Sequence, residues 1–198
     1  RTDTQAPVSA RRAEVLTFNS GGSGARPRLD GMNATAFPSG VMTMPVEATE
    51  QVGPVIIWRK ELRPDSGGVG RHRGGLGQFM EVGAQEGHEF DIQAMFDRLN
   101  HPANGRQGGG MGAPTTIALD NGTAMKGKGK QFVPHGNRVM MAFPGGAGYG
   151  PLSERKNPEI WRDLAAGYIS EQAAIEAYGL DPDIVKDVMK RARNGEVF

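Results

Sequence analysis

Arginines set among glycines are the first residues in this chain that could do chemistry. The run LRPDSGGVGRHRGGLG, residues 62–77, holds six glycines and three arginines, Arg63, Arg71 and Arg73. A guanidinium presents a planar fork of donors that fits a carboxylate or a phosphate. Bare glycine backbone lets a ligand or another chain come close, and its N–H groups can cradle an anion. The same glycines also have a plain conformational use, because glycine reaches positive φ without steric cost and marks convoluted turns. The two uses are compatible, since turns often carry sites.

Other motifs divide into decoys and candidates. GTAMKGKG, residues 122–129, has the Gly-x4-Gly-Lys spacing of a phosphate-binding loop. Gly129 stands where a Ser or Thr should hold magnesium, and the following KQFVPHGN contains Pro134 and Gly136, so no helix N-terminus is expected to meet an anion. GGVGRHRGG lacks the dinucleotide-binding spacing. The sequons NAT (33–35) and NGT (121–123) read as chance matches. The histidines His72, His88, His101 and His135 are scattered. Asp97 and His101 are four apart, but Asn100, Pro102 and Asn104 oppose a helix there, so no complete metal site is expected within the chain. The stretch FDRLNHPANGRQGGGMG, residues 96–112, reads as a long loop rooted on the Asp97-Arg98 pair, and loops of that length are often functional.

The totals narrow the classes. The chain has 198 residues, 37% apolar, with 23 basic and 22 acidic side chains. Mean hydropathy is −0.46 and the pI about 8.2. That balance lacks the basic excess of a dedicated nucleic-acid binder. There is no cysteine, hence no disulfide, thiolate metal site or thiol nucleophile. No run approaches the ~18 apolar residues of a membrane span, so the expectation is a cytoplasmic protein with neither membrane nor nucleic-acid partner. Glycine is the outlier, 30 residues against a usual share of about 7%, clustered at 21–24, 67–77, 105–112 and 145–150. The chain opens at Arg1 with a polar, patternless dozen residues, which we read as a cut boundary rather than a natural start.

The elements that must position these residues follow from periodicity. Strands are expected at EVLTF (14–18), VIIWRKEL (55–62), GQFMEVGAQE (77–86), HEFDIQAMF (88–96), TTIAL (115–119) and NRVMMAF (137–143). Gly87 suggests a tight hairpin between the third and fourth. From Asn157 onward the spacing turns helical. Asn157 is a candidate cap with Pro158 at the first position, Ser170 caps a second helix closed by Gly179, and Asp181-Pro182-Asp183 starts a third that ends in Lys190, Arg191 and Arg193. Trp161, Leu164 and Tyr168 share one helical face and should pack on the β region. The expected class is therefore α+β: mainly antiparallel β with glycine-rich loops over 1–150, then a small helical tail over 151–198 packed on it as one structural unit.

Taken in order, SGGSGARPRLDG (20–31), MPVEATE (44–50), ELRPDSGGVGRHRGGLG (61–77), the DR of FDRLNHPANGRQGGG (96–110), FPGGAGYGPL (143–152) and NPEIWRDLAAGYISEQAAIEAYGL (157–180) resemble the carboxy-terminal part of the hydantoinase B family, shared with 5-oxoprolinase, N-methylhydantoinase and the acetophenone and acetone carboxylases. One departure is Pro151, which directly follows Gly150 where the family usually has an acidic residue. The resemblance implies the B subunit of an ATP-dependent cyclic-amide hydrolase, inactive without the rest of the subunit and a hydantoinase A-like partner. That partner binds ATP and Mg and phosphorylates a carbonyl oxygen. A divalent metal would belong to the amino-terminal part of such a subunit, and no cofactor to this segment. The substrate would be a small cyclic amide. A related carboxylase, or a non-catalytic β-rich interaction scaffold, are the alternatives. Catalytic residues are not assigned. The candidate binding or interface residues are Asp65, Ser66, Arg71, Arg73, Asp97, Arg98, Arg26 and Asp30. Arg71 and Arg73 are expected at the junction with the rest of the enzyme, with Asp65 orienting one of them or the loop.

Overall fold

The computed structural model describes residues 14–36, 40 and 44–198. Its fold is α+β. Helix α1 (Val46–Val52) leads into β1 (Val55–Leu62), β2 (Gln78–Ala84), β3 (Phe90–Met95), β4 (Thr116–Leu119), β5 (Lys128–Val133) and β6 (Arg138–Ala142). A 3-10 turn at Leu152–Glu154 precedes α2 (Asn157–Ala165), α3 (Glu171–Glu176) and α4 (Pro182–Arg193).

Two antiparallel sheets form. One has the order β1-β2-β6-β4, the other pairs β3 with β5. Strand alternation fixes their facing sides. Met80, Met141 and Ile117 stand in register across β2, β6 and β4, as do Val82, Val139 and Leu119. All of these but Val82 join Val133 and Phe143 in one buried apolar cluster, against which Val82, together with Phe90 and Ile92 of β3, packs. The outer edge of β1 is partly blocked, because the Glu50 carboxylate of α1 accepts from the Ile57 N–H at 2.8 Å. Blocking an edge in this way hinders pairing with other chains.

Several expectations need correction. Residues 14–18 form no strand, and Leu16 and Phe18 are exposed. The hairpin at Gly87 does not exist as a β2–β3 pair. Both edges of β2 are occupied by β1 and β6, and β3 pairs only β5. Gly87 does turn, at φ 81°, with His88 N–H donating to Gln85 O, and the turn carries the chain from one sheet to the other. The cap of α2 is Lys156 rather than Asn157: the Glu159 carboxylate reaches back to the Lys156 N–H at 3.1 Å. Strand β5 and helix α1 were not anticipated. The other two helix starts behave as read. Ser170 Oγ accepts from Ala173 N–H at 3.0 Å, and Asp181 Oδ1 from Asp183 N–H at 2.8 Å.

The glycine-rich runs form a layer of their own. Segments 21–35, 66–77, 103–113 and 143–150 lie side by side as irregular extended backbone and exchange hydrogen bonds: Gly75 N–H to Ser23 O, Gly146 N–H to Gly75 O, Gly68 N–H to Gly146 O, Gly110 N–H to Val69 O, and Gly148 N–H to Gly110 O, all at 2.7–2.9 Å. At most of these glycines the spacing leaves no room for a side chain. A Cβ on Gly74 would lie 1.9 Å from Gly146 O, and one on Gly145 would lie 1.7 Å from Ser66 O. The glycines of 62–77 are therefore explained mainly by backbone packing between segments rather than by positive φ.

The helices after residue 151 have a separate apolar cluster of Ile160, Leu164, Ile169, Ala174, Leu180, Val185 and Val188. Leu164 is part of it, and Trp161 packs on it edge-on to Phe198, with ring centroids 6.5 Å apart. Of the expected aromatic face, Tyr168 is the member that meets the glycine layer, with the Arg73 guanidinium 5.2 Å from its ring centre.

Candidate functional site

The charged residues of the glycine layer converge where it meets the helices. Arg73 follows the extended backbone inward and is 3% exposed. Its Nε donates to Asp163 Oδ2 at 3.0 Å, and its Nη1 to Gly74 O at 2.6 Å. Asp163 lies on α2 between Ile160 and Leu164, on the face the helix buries. Arg155, set by the 3-10 turn, has a fully buried side chain. Its Nη2 donates to Asp163 Oδ2 at 2.5 Å, and its two terminal nitrogens grip both oxygens of Asp30 at 2.8 and 2.9 Å. Arg155 Nη1 also reaches Arg71 O at 3.1 Å, and Asp30 accepts from the Arg73 backbone N–H at 2.7 Å. Two guanidiniums thus face two carboxylates in a closed, charge-balanced cluster that draws on residues 30, 73, 155 and 163.

Ionisation follows from that geometry. Burial pushes the Asp30 carboxyl up, but the Arg155 hydrogen bonds and the charges of Arg155 and Arg73 prevail and hold it below the usual range. Burial opposes the charge on Arg155, yet Asp30 and Asp163 together strengthen it. The Tyr178 hydroxyl is pushed up to about 12, chiefly by burial. His72 flanks the cluster with Nδ1 3.8 Å from Asp30 Oδ1.

The other sequence candidates are distributed as follows. Asp65 is exposed at φ 59° and ties the layer to the helices: its N–H donates to Tyr168 O at 3.1 Å, and its Oδ1 accepts from Ser170 N–H at 2.8 Å. Ser66 is buried, its Oγ donating to Arg63 O and accepting from Gly77 N–H. A groove of about 320 Å³ runs between residues 65–69 and α3, with Asp65, Val69, Ser170, Gln172 and Tyr178 among its walls. Arg71 is exposed and pairs with Glu154 at 3.1 Å. Arg26 is exposed in a tight reversal with Leu29. Asp97 and Arg98 do not join this group. Asp97 pairs with Lys128 at 2.7 Å, and Arg98, at φ 62°, contributes its carbonyl to Thr115 N–H. Sequence reasoning missed Arg155 and Asp163. The available signal was an acidic residue inside the apolar stripe of α2.

The described residues offer neither a phosphate-binding helix N-terminus at 122–129 nor a cluster of metal ligands. The run 122–129 continues into strand β5, so no helix N-terminus stands behind its glycines. No three His, Cys, Asp or Glu come together among the described residues. No helix among them is long and apolar enough to cross a membrane. With both carboxylates committed to guanidiniums, the cluster's own chemistry is to fix backbone segments in place.

The Hydantoinase B/oxoprolinase family model matches residues 2–152. The 5-oxoprolinase 1 of Arabidopsis thaliana is 34% identical over 136 residues, 66% of this chain and 10% of that protein. The acetophenone carboxylase delta subunit of Aromatoleum aromaticum is 26% identical over 205 residues, covering 84% of this chain and 30% of that subunit. The crystal structure of the ATP-dependent caprolactamase from Pseudomonas jessenii aligns with a TM-score of 0.70 at 26% identity, over 89% of this chain and 33% of that one. The chain spans less than a third of the length of these relatives. It belongs to the Hydantoinase B/oxoprolinase family.

Proposed function

We propose that these residues are the carboxy-terminal part of the B subunit of an ATP-dependent cyclic-amide hydrolase, working in the cytoplasm with the rest of that subunit and an A-like partner. The observation that carries this reading is the family match over residues 2–152. The fold shared with an ATP-dependent caprolactamase supports it. ATP and Mg belong to the partner, which activates the ring carbonyl by phosphorylation. Water adds to that carbon, the ring C–N bond breaks to leave a free amine and an acyl phosphate, and a second water releases phosphate and leaves the carboxylate. This segment contributes a rigid wall. Region 1–150 and the helices from 151 act as one structural unit through the Asp30–Arg155–Asp163–Arg73 cluster. The solvent-facing Asp65, Arg71 and Arg26, together with Asp97 and Arg98, supply contacts to the rest of the enzyme.

The relative in acetophenone carboxylase favours a second reading, in which the activated species is a carboxyl group passed to a ketone enol. One experiment separates the two. The complete subunit is co-expressed with its A-like partner and assayed for ADP release with hydantoins, 5-oxoproline and lactams, and separately with ketones plus bicarbonate. Ring opening coupled to ADP release is expected. ADP release only with ketone and bicarbonate overturns the hydrolase in favour of the carboxylase, and none with either class overturns both.

A further inference from the structure

The sequence contains three Asn-Gly pairs, at 104–105, 121–122 and 194–195. This dipeptide is chemically labile, because glycine leaves its amide nitrogen open to approach by the preceding side chain. The three asparagines are all exposed, yet their surroundings differ. Gly122 N–H donates to Leu119 O at 2.9 Å, and Asn121 Oδ1 is held by Thr123 N–H at 2.9 Å. Gly195 N–H donates to Ala192 O at 3.0 Å. At the remaining pair, neither the Gly105 N–H nor the Asn104 side chain makes a hydrogen bond among the described residues. Backbone hydrogen bonds are also sparse just before it: among the described residues no backbone N–H of 100–105 donates to another backbone group, and of their carbonyls only Ala103 O accepts, from Gly112 N–H.

We infer that Asn104-Gly105 is a self-modification site of the folded protein, at which asparagine converts to a mixture of aspartate and β-linked isoaspartate. The Gly105 nitrogen loses its proton to solvent and attacks Asn104 Cγ. A new C–N bond closes a five-membered succinimide, the bond to the side-chain nitrogen breaks, and ammonia leaves. Water then opens the ring at either carbonyl. One opening gives aspartate; the other passes the main chain through the β-carbon and adds a methylene to the backbone. Nothing is oxidised or reduced, and water is the only co-reactant.

The position gives the second product a structural consequence. Gly105 is so closely packed that a Cβ there would lie 1.9 Å from Gly109 O. The next residue, Arg106, ties this segment to the 143–150 run, its N–H donating to Gly148 O at 3.2 Å and its carbonyl accepting from Gly150 N–H at 3.0 Å. A methylene inserted at residue 104, ahead of Gly105, pushes that pairing out of register.

The test uses the complete subunit, incubated folded at mildly alkaline pH beside a sample kept in denaturant. Trypsin cutting at Arg98 and Arg106 releases residues 99–106, which isolates Asn104 from the other two pairs. Fragment-ion mass spectrometry separates it from Asn100 on the same peptide. Methyl transfer by an isoaspartyl methyltransferase counts the β-linked product. In the folded sample, conversion at Asn104 is expected to run ahead of Asn121 and Asn194, with the three converging in denaturant. Asn104→Gln, at an exposed position, should bring methyl incorporation in 99–106 to background. Conversion first at Asn121 or Asn194 in the folded sample, an unchanged ranking in denaturant, or undiminished methylation of the Gln variant would each overturn the inference.

Discussion

Arg71 and Arg73 stand two residues apart and face opposite environments. The Arg73 guanidinium is buried against Asp163, while Arg71 reaches into solvent beside Glu154. A buried ion pair broken on one side leaves an uncompensated charge, which costs about 3–5 kcal/mol. An exposed pair contributes about 0–1 kcal/mol. Asp163→Ala, which strands Arg73 and leaves Arg155 only its pair with Asp30, should therefore lower the urea midpoint sharply, with a loss of about 3–5 kcal/mol. Arg71→Ala should leave stability within about 1 kcal/mol of the parent. Arg71 thus remains the testable contact residue of the opening run. Arg71→Lys keeps charge but loses the fork, so in the complete A–B complex it should weaken assembly or ATP-dependent turnover if the guanidinium holds the partner. Parent-like values in both assays would restrict Arg71 to its pair with Glu154.

At the scale of elements, legibility tracked how local each cause was. Strand β1 was readable to the residue because VIIWRKEL is a β-branched, aromatic run. Strand β5 was not, because KGKQFV carries two lysines and a glycine, and its one buried residue, Val133, finds its partners only in the assembled core. The β2–β3 hairpin failed because adjacency in sequence says nothing about which strands already occupy an edge. The glycine layer was visible as composition but not as structure. Each cluster reads singly as a turn, and only the meeting of four segments shows why side chains are excluded. Asp30 and Arg73 were flagged for their motifs, whereas Arg155 and Asp163 became recognisable only once burial placed them beside those two. The layer makes its own prediction. Gly74→Ala puts a methyl into the Gly146 carbonyl and should destabilise by about 1–3 kcal/mol or more, as overpacking does. Gly24→Ala meets open space and should stay within about 0.5 kcal/mol. Thermal unfolding of the two variants side by side checks this, and equal shifts would mean that the close approach between segments is relaxed in solution.

At the scale of the molecule, two apolar cores are joined by polar connections. The β core and the helical core have no buried residue in common. Between them run the Asp30–Arg155–Asp163–Arg73 cluster, the Asp65 hydrogen bonds to Tyr168 and Ser170, and the Arg73–Tyr168 contact. Such a junction should depend on pH in a way the cores do not. The Asp30 carboxyl is depressed by Arg155 and Arg73 despite the opposing effect of burial. A carboxyl that binds its proton less readily folded than unfolded contributes stability that is complete above its unfolded pKa of about 4 and is lost as pH falls through the lower folded value. Acidification below about 4 should therefore loosen the attachment of the helices before either core melts. Amide hydrogen exchange is the suitable readout, because it resolves local opening from global unfolding. On lowering the pH, protection should fall first at Gly31, Tyr168 and Ser170, whose amides lie along the junction, while Val139 and Met141 in β6 remain protected. Asp30→Asn removes the titrating carboxylate. It should lower junction protection already at neutral pH and flatten its dependence on acid. Simultaneous loss of protection in both cores and at the junction, with the same pH midpoint in the variant, would show that the cluster does not control how the helices are held.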